Sequence, residues 1–219
     1  MAPGWQRRRA PATPALRTGS GRVGSGAVLP TGPCWASRCV GPRVYGAGMP
    51  PRSSPRTDRP TLPEGYGLPD GTEGTLDWEG VEERLRRAQH YWLASVRPDG
   101  RPHSVPRWGV WLDGRFWYDG APTTRHTRNV EANPAVTLTL ESGTEVVIVE
   151  GTSRATRADP EPLDARLATA FGKYADAGYA PGADSWSGED GGGLRVVTPR
   201  RVLAWSSFPT DCTRFTFGG

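Results

Sequence analysis

Cysteine is scarce in this chain, three in 219 residues, and an odd count cannot make a complete disulfide framework. Cys34 and Cys39 lie near the start and Cys212 stands alone near the end, with no zinc-ligand spacing among them. His90, His103 and His126 are too far apart to form a recognisable metal motif. These gaps point to a cytoplasmic protein without structural metal. No run of about 18 apolar residues is present, so no ordinary membrane-spanning helix is expected. A Walker phosphate loop and a G-x-S-x-G nucleophile elbow are also missing, which leaves P-loop and serine-hydrolase chemistry without support.

Charge is distributed unevenly. Residues 1–60 carry ten Arg, no Lys and one acid, Asp58, for a net of +9, together with ten Pro and nine Gly. Residues 61–219 carry seventeen basic and twenty-two acidic residues, a net of −5, so the overall +4 belongs to the first segment. Such a segment cannot bury enough apolar surface to repay its ordering and is expected to be disordered. An Arg-rich arm can track nucleic-acid phosphate. Here it lacks basic–aromatic interleaving beyond Trp5, Trp35 and Tyr45, and translated upstream sequence before a start at Met49 is the preferred account. "WQRRRAPATPAL" has no apolar core of the length a leader needs. The expected organisation is an extension over 1–60, a linker or surface arm over 61–75, and one ordered domain over 76–217.

In the ordered part, "LDWEGVEERLRRAQHYW" puts Trp78, Val81, Leu85 and Ala88 at helical spacing behind a potential cap, Asp77. Strand patterns begin at "HYWLASVRPDG", and turn signals at Pro98-Asp99-Gly100 and Asp113-Gly114 predict an antiparallel meander. Pro102 and Pro106 fall inside its second strand, which predicts an edge or bulged position. A short helix is predicted in "TTRHTRNVEANP", then a long hairpin turning at Ser142-Gly143. "DPEPLDARLATAFGKY" predicts another helix, capped by Asp159, with Leu163, Leu167, Ala170 and Phe171 buried. The Gly-rich "ADAGYAPGADSWSGEDGGG" is long for a loop in a compact domain, which suggests a function. "LRVVTPRRVLAWSS" and "CTRFTF" complete the strands. About six strands joined by hairpins predict a mainly β fold, a small closed or nearly closed antiparallel barrel with helices at its ends or flank.

Basic residues on structured elements are the main chemical signal. In the second strand Arg101, His103, Val105 and Arg107 alternate with Pro102, Ser104, Pro106 and Trp108, so the two sets should face opposite ways. The short helix has Thr123 or Thr124 as its cap and carries Arg125, His126 and Arg128 in its opening turns, with its one acid, Glu131, near the far end. That order opposes the helix dipole. Free N–H groups, an arginine pair and a hydroxyl together suit an anion, phosphate above all; a solvated basic turn is the plainer alternative.

The stretch "HYWLASVRPDGRPHSVPRWGVWLDGRFWYDGAPTTRHTRNVEANPAVTLTLESGTEVVIVEG" resembles the pyridoxamine 5'-phosphate oxidase-like, FMN-binding split-barrel superfamily. Its nearest look is to the actinobacterial branch of F420- and flavin-dependent oxidoreductases. The combination carries the resemblance: Asp99-Gly100-Arg101-Pro102-His103, then Pro106, Trp108 and Trp111, then Arg128-Asn129 and Asn133-Pro134. Similarity runs from about Leu76 to Phe217, through "LDWEGVEERL", the later "KY" and the "RRVLAW…TRF" ending.

The resemblance implies an antiparallel split β-barrel and a homodimer with cofactor sites at the subunit interface. It places the cofactor ring against His103, Ser104, Val105, Pro106 and Arg107, with backbone N–H groups near Val105 and Arg107 on the ring's polar edge. The phosphate is expected near Trp117 and Tyr118 and at Thr124, Arg125, His126, Arg128 and Asn129. Relatives usually carry lysine where His126 stands. If His126 binds as imidazolium, phosphate affinity should weaken from pH 6 to 8. Asp119 is discordant beside a phosphate and is expected to orient an arginine instead. Trp108, Trp111, Lys173 and Tyr174 are weaker candidates for the substrate pocket, with barrel core the alternative for the two tryptophans. No catalytic acid is nominated. The implied activity is hydride transfer between bound F420 and a small organic acceptor, with FMN as the alternative cofactor. Non-catalytic binding of a cofactor, haem or another tetrapyrrole is the other class of function.

Overall fold

The computed structural model describes residues 54–158, 162–188 and 191–218. Nine strands form one antiparallel sheet: β1 (Arg56–Asp58), β2 (Tyr91–Val96), β3 (Pro102–Arg107), β4 (Val110–Leu112), β5 (Arg115–Tyr118), β6 (Ala135–Thr139), β7 (Val146–Ala155), β8 (Arg195–Trp205) and β9 (Thr213–Thr216). Three α-helices accompany them: α1 (Trp78–Arg87), α2 (Arg125–Ala132) and α3 (Leu163–Phe171). Strand order is β1-β9-β8-β7-β6-β2-β3, while β5 pairs with both β4 and β8. The long strand β8 makes this branching possible, because Arg195–Val197 meet β5 and Arg201–Ala204 meet β9. The sheet therefore curls around a core as a mainly β split barrel, as expected.

Local signals explain most boundaries. Asp77 caps α1 by accepting the Gly80 N–H at 2.7 Å, and Arg84, Arg86 and Arg87 lie in its last turn, where the dipole favours cations. Val81 and Leu85 are each 1% exposed, so burying each contributes about 2 kcal/mol of transfer energy. Asp113 and Gly114 turn the β4–β5 hairpin at φ 54° and 67°, the left-handed pair that a tight two-residue connection needs. In β7 the register shifts between Glu150 and Gly151. A Cβ on Gly151 would lie 2.3 Å from the Thr198 carbonyl oxygen, so the bend requires glycine.

Three expectations change. The predicted second strand splits into β3 and β4 at Trp108-Gly109. There the backbone approaches Phe116 so closely that a Cβ on Gly109 would be 2.3 Å from its ring. The end of the 1–60 extension joins the sheet: β1 pairs with β9, and Arg214 Nε donates to Asp58 Oδ1 at 2.6 Å. The third helix begins at Leu163, and its predicted cap, Asp159, lies outside the described residues. Cys34 and Cys39 also lie outside them, and Cys212 is a buried free thiol.

Two apolar clusters result. One fills the barrel, with Val81, Leu85, Tyr91, Leu93, Phe116 and Phe215 among its members. The other lies under α3 on the flank and includes Val110, Trp117, Leu167, Phe171, Tyr174 and Trp186.

Candidate functional site

β3 has two faces, as alternation predicts. Its register with β2 pairs Arg107 with Tyr91, Val105 with Leu93 and His103 with Ser95 on the inner side. Pro106 opposite Trp92, Ser104 opposite Ala94 and Pro102 opposite Val96 make the outer side. Among the described residues β3 pairs with β2 alone, so its other edge is open and both prolines are tolerated.

The inner side leads to a cationic corner where β3 ends, β5 ends and α2 begins. Asn129 anchors α2 by donating from Nδ2 to Ser95 Oγ at 3.0 Å, and Val130 is buried beside it. Arg107 is half-buried; its Nη2 donates to the Asp119 carbonyl oxygen, and its guanidinium lies 5.6 Å from the Tyr118 ring centroid. Among the described residues its buried Nε has no hydrogen-bond partner. A Cβ on Gly120 would lie 3.0 Å from Arg107 Nη2 and 3.6 Å from His126 Nε2, so Gly120 lies close to both side chains. Arg195, 4% exposed, adds a second interior guanidinium. Its Nη2 pairs with Glu131 Oε1 at 2.8 Å, while its Nε is also unpartnered.

His126 is 4% exposed, with Nε2 3.4 Å from Thr124 Oγ1. Burial first, then the charges of Arg107, Arg195 and His103, lower its pKa to about 4. Without a bound anion the imidazole is therefore neutral from pH 6 to 8, and the positive charge of the corner over that range comes from its arginines. At the start of α2, Thr124 Oγ1 joins Ala121 O at 3.0 Å and Thr127 Oγ1 at 2.8 Å rather than capping the helix. The opening N–H groups thus lack a side-chain cap. Arg125 and Arg128 are exposed next to them, neither in an ion pair with a described residue.

The Asp119 carboxylate, expected to orient an arginine, makes no ion pair with one among the described residues. Asp119 engages Arg107 through its carbonyl, while its carboxylate Oδ2 accepts the Tyr179 hydroxyl and Trp186 Nε1 at 3.0 Å. Sequence reasoning missed Tyr179 and Trp186. The only available signal was their place in an overlong Gly-rich loop.

Other candidates are placed differently from expectation. The side chains of Trp117, Tyr118 and Asn129 are turned into the core, at 1%, 0% and 0% exposure, because β5 and α2 are covered on those faces. Trp117 Nε1 donates to Leu112 O at 3.0 Å, and the Tyr118 hydroxyl meets Ser153 Oγ at 2.7 Å. Trp111 is barrel core and donates to Glu82 Oε1 at 3.0 Å. Lys173, the chain's one lysine, donates to the carbonyl of Ala88, the C-cap of α1, at 2.7 Å. That cation completes a helix end, and burial lowers its pKa to about 8. The buried Tyr174 hydroxyl lies 2.8 Å from the carbonyls of both Gln89 and Gly109. Lys173 and Tyr174 therefore clip elements together. Trp108 remains 37% exposed and stacks on Tyr174 at 5.0 Å. Ser104 and Pro106 face outward, on the side of the sheet where Trp92 and Val96 are exposed and a groove of about 510 Å³ opens along Val96, Pro102, Gly151 and Pro199.

No curated protein matches the chain. Among solved structures it is similar to an F420 reductase at 23% identity, covering 64% of this chain and 98% of that one, with a TM-score of 0.41. It is also similar to the haem storage protein HutZ from Vibrio cholerae at 18% identity, covering 58% of this chain and 93% of that one, TM-score 0.44. A haem-binding protein from Mycobacterium smegmatis is 18% identical over 62% of this chain and 56% of that one, TM-score 0.44. Among the described residues no helix is long and apolar enough to cross a membrane. A model of the pyridoxamine 5'-phosphate oxidase family matches residues 78–206, more than half of the chain and all strands from β2 to β8. With this match added to the antiparallel split barrel, the chain belongs to the pyridoxamine 5'-phosphate oxidase family.

Proposed function

We propose that the protein is an oxidoreductase that holds a phosphate-bearing deazaflavin, F420, at the corner between β3, β5 and α2, for hydride transfer to a small organic acceptor. FMN is the second reading, because the same corner suits its phosphate. The observation that carries the proposal is the unbalanced positive charge there. Among the described residues Arg107 donates only to a backbone carbonyl and pairs with no carboxylate, its Nε has no hydrogen-bond partner, and Arg125 and Arg128 flank a helix start with no side-chain cap. Uncapped N–H groups and guanidinium forks are the donors that phosphate recognition uses.

When bound, the cofactor would supply the two-electron chemistry. The chain's own contribution is to hold and orient it. Arg107 would attract the anionic group from inside, Arg125 and Arg128 from the rim, and the open edge of β3 would offer backbone donors and acceptors. Neutral His126 would shape the corner as a packed ring rather than as a charge. Trp108, with one face already on Tyr174, offers its remaining surface as an apolar wall. The outer groove and exposed Trp92 are the surface assigned to a second copy of the chain in a homodimer.

Titration with F420 and FMN tests the site. Arg107→Ala should weaken binding roughly ten- to a hundredfold, the worth of a hydrogen bond to a charged group, and Arg128→Ala by less. Unchanged affinity in both variants would remove the anion site. Oxidation of reduced cofactor only when an enone or quinone is added would establish turnover; no oxidation with any acceptor would leave a binding protein.

A further inference from the structure

An acid lies where the anion site is least able to tolerate one. Asp119 directly precedes Gly120, where an added Cβ would lie 3.0 Å from Arg107 Nη2 and 3.6 Å from His126 Nε2. A freely turning carboxylate at this position would pair with Arg107 and oppose an anionic ligand. Instead, Oδ2 accepts the Tyr179 O–H and the Trp186 Nε1–H, the latter at 3.0 Å, and Arg107 receives only the Asp119 carbonyl. Burial, with the bond and charge of Asp119, keeps the Tyr179 phenol well above its ordinary pKa, so it remains a donor.

Both donors belong to the excursion between α3 and β8, and the seating of that excursion is specific. Gly191, Gly192 and Gly193 have φ of 60°, 58° and 75°. A Cβ on Gly193 would lie 2.3 Å from Gly120 O, one on Gly192 2.1 Å from Ser185 O, and one on Gly191 2.5 Å from Thr156 O. Each position therefore excludes a side chain twice over, by conformation and by contact. The triplet brings the excursion's backbone directly onto the residue after Asp119. Trp186 is 1% exposed and packs on Phe171 at a centroid distance of 5.3 Å, which fixes the direction of its indole N–H.

We propose that Tyr179 and Trp186 are positioning residues that hold the Asp119 carboxylate off Arg107, keeping the corner receptive to an anionic ligand. Two donors on one oxygen spread its charge and fix its direction. This assignment rests on the anion-site reading above and gives the long Gly-rich stretch its function: it manages a charge rather than contacting the ligand.

The test compares Tyr179→Phe, Trp186→Phe, Asp119→Asn, Tyr179→Phe with Asp119→Asn, and Arg107→Ala. Affinities for inorganic phosphate, FMN and F420 are measured by calorimetry, with thermal unfolding in parallel. Tyr179→Phe should weaken anion binding roughly tenfold, the scale of one charge-assisted hydrogen bond. Trp186→Phe should act in the same direction, which keeps the test readable if one variant folds poorly. Adding Asp119→Asn to Tyr179→Phe should restore affinity to within about twofold of wild type, a rescue that a merely structural role for Tyr179 does not produce. Wild-type affinity in Tyr179→Phe and Trp186→Phe, or a double variant as weak as Tyr179→Phe, overturns the proposal. If Arg107→Ala weakens binding in that case, only the positioning role fails; if Arg107→Ala also binds like wild type, the anion site fails with it.

Discussion

The barrel cluster and the flank cluster share a wall but are held in different ways. β5 is that wall: Phe116 and Tyr118 face the barrel, while Trp117 faces the flank. Barrel residues come mostly from strands whose backbone groups are satisfied by ladder hydrogen bonds, with α1 closing one end. Flank residues come from α3 and an irregular excursion packed on β4, β5 and β8, and side chains supply the ties: Tyr174 to Gly109, Trp117 to Leu112 and Trp186 to Asp119. The barrel can therefore be stable without specifying a site. The flank specifies one, because its Tyr179 and Trp186 hydrogen bonds end on Asp119, whose carbonyl accepts from Arg107.

The sharpest way to break this comparison is to damage the barrel alone. Phe116 is fully buried, 4.4 Å by ring centroid from Tyr91 and 5.6 Å from Tyr118. Phe116→Ala should cost about 3–5 kcal/mol in urea unfolding while leaving the anion affinity of the folded fraction near wild type. A parallel loss of affinity would show that the two regions act as one.

His126 lies at the border and gives a test in pH. Its imidazole titrates near 6.5 when unfolded and near 4 when folded, so the unfolded chain binds more protons between those values. Stability from this residue is complete above pH 6.5 and falls as pH drops toward 4, by on the order of 3 kcal/mol. His126→Gln should remove that part of the slope in pH-dependent unfolding. From pH 6 to 8 phosphate affinity should change only as the phosphate loses its second proton, and equally in the parent and in His126→Gln; weakening across that range that disappears in His126→Gln would restore a charged contact.

The smallest expected effect tests α1. Asp77→Ala removes the α1 cap and should cost about 1 kcal/mol of stability without changing anion affinity. Any change in affinity would mean that α1 reaches the site.

Periodicity and turn chemistry made much of this fold legible. Val81 and Leu85, the Asp113-Gly114 turn and the alternating faces of β3 follow from spacing and φ preference, which act over a few residues. The role of Asp119 was legible only as a conflict of charge, because its two donors lie 60 and 67 positions further along the chain. Trp117, Tyr118 and Asn129 show the opposite failure. Their place in the pattern drew attention to them, but Trp117 packs in the flank cluster, Tyr118 in the barrel cluster, and Asn129 donates to Ser95 on β2.

By itself, the sequence determined the mainly β hairpin architecture, the Asp77 cap of α1 and a run of cations opening α2, since each depends on neighbours within about one turn or hairpin. Tertiary structure decided how those charges are handled. Burial among Arg107 and Arg195 makes His126 neutral, and α1 takes Lys173 as a helix-end cation. The three glycines bring Tyr179 and Trp186 onto Asp119. Each outcome depends on desolvation or on a contact between distant segments, and neither is contained in local order.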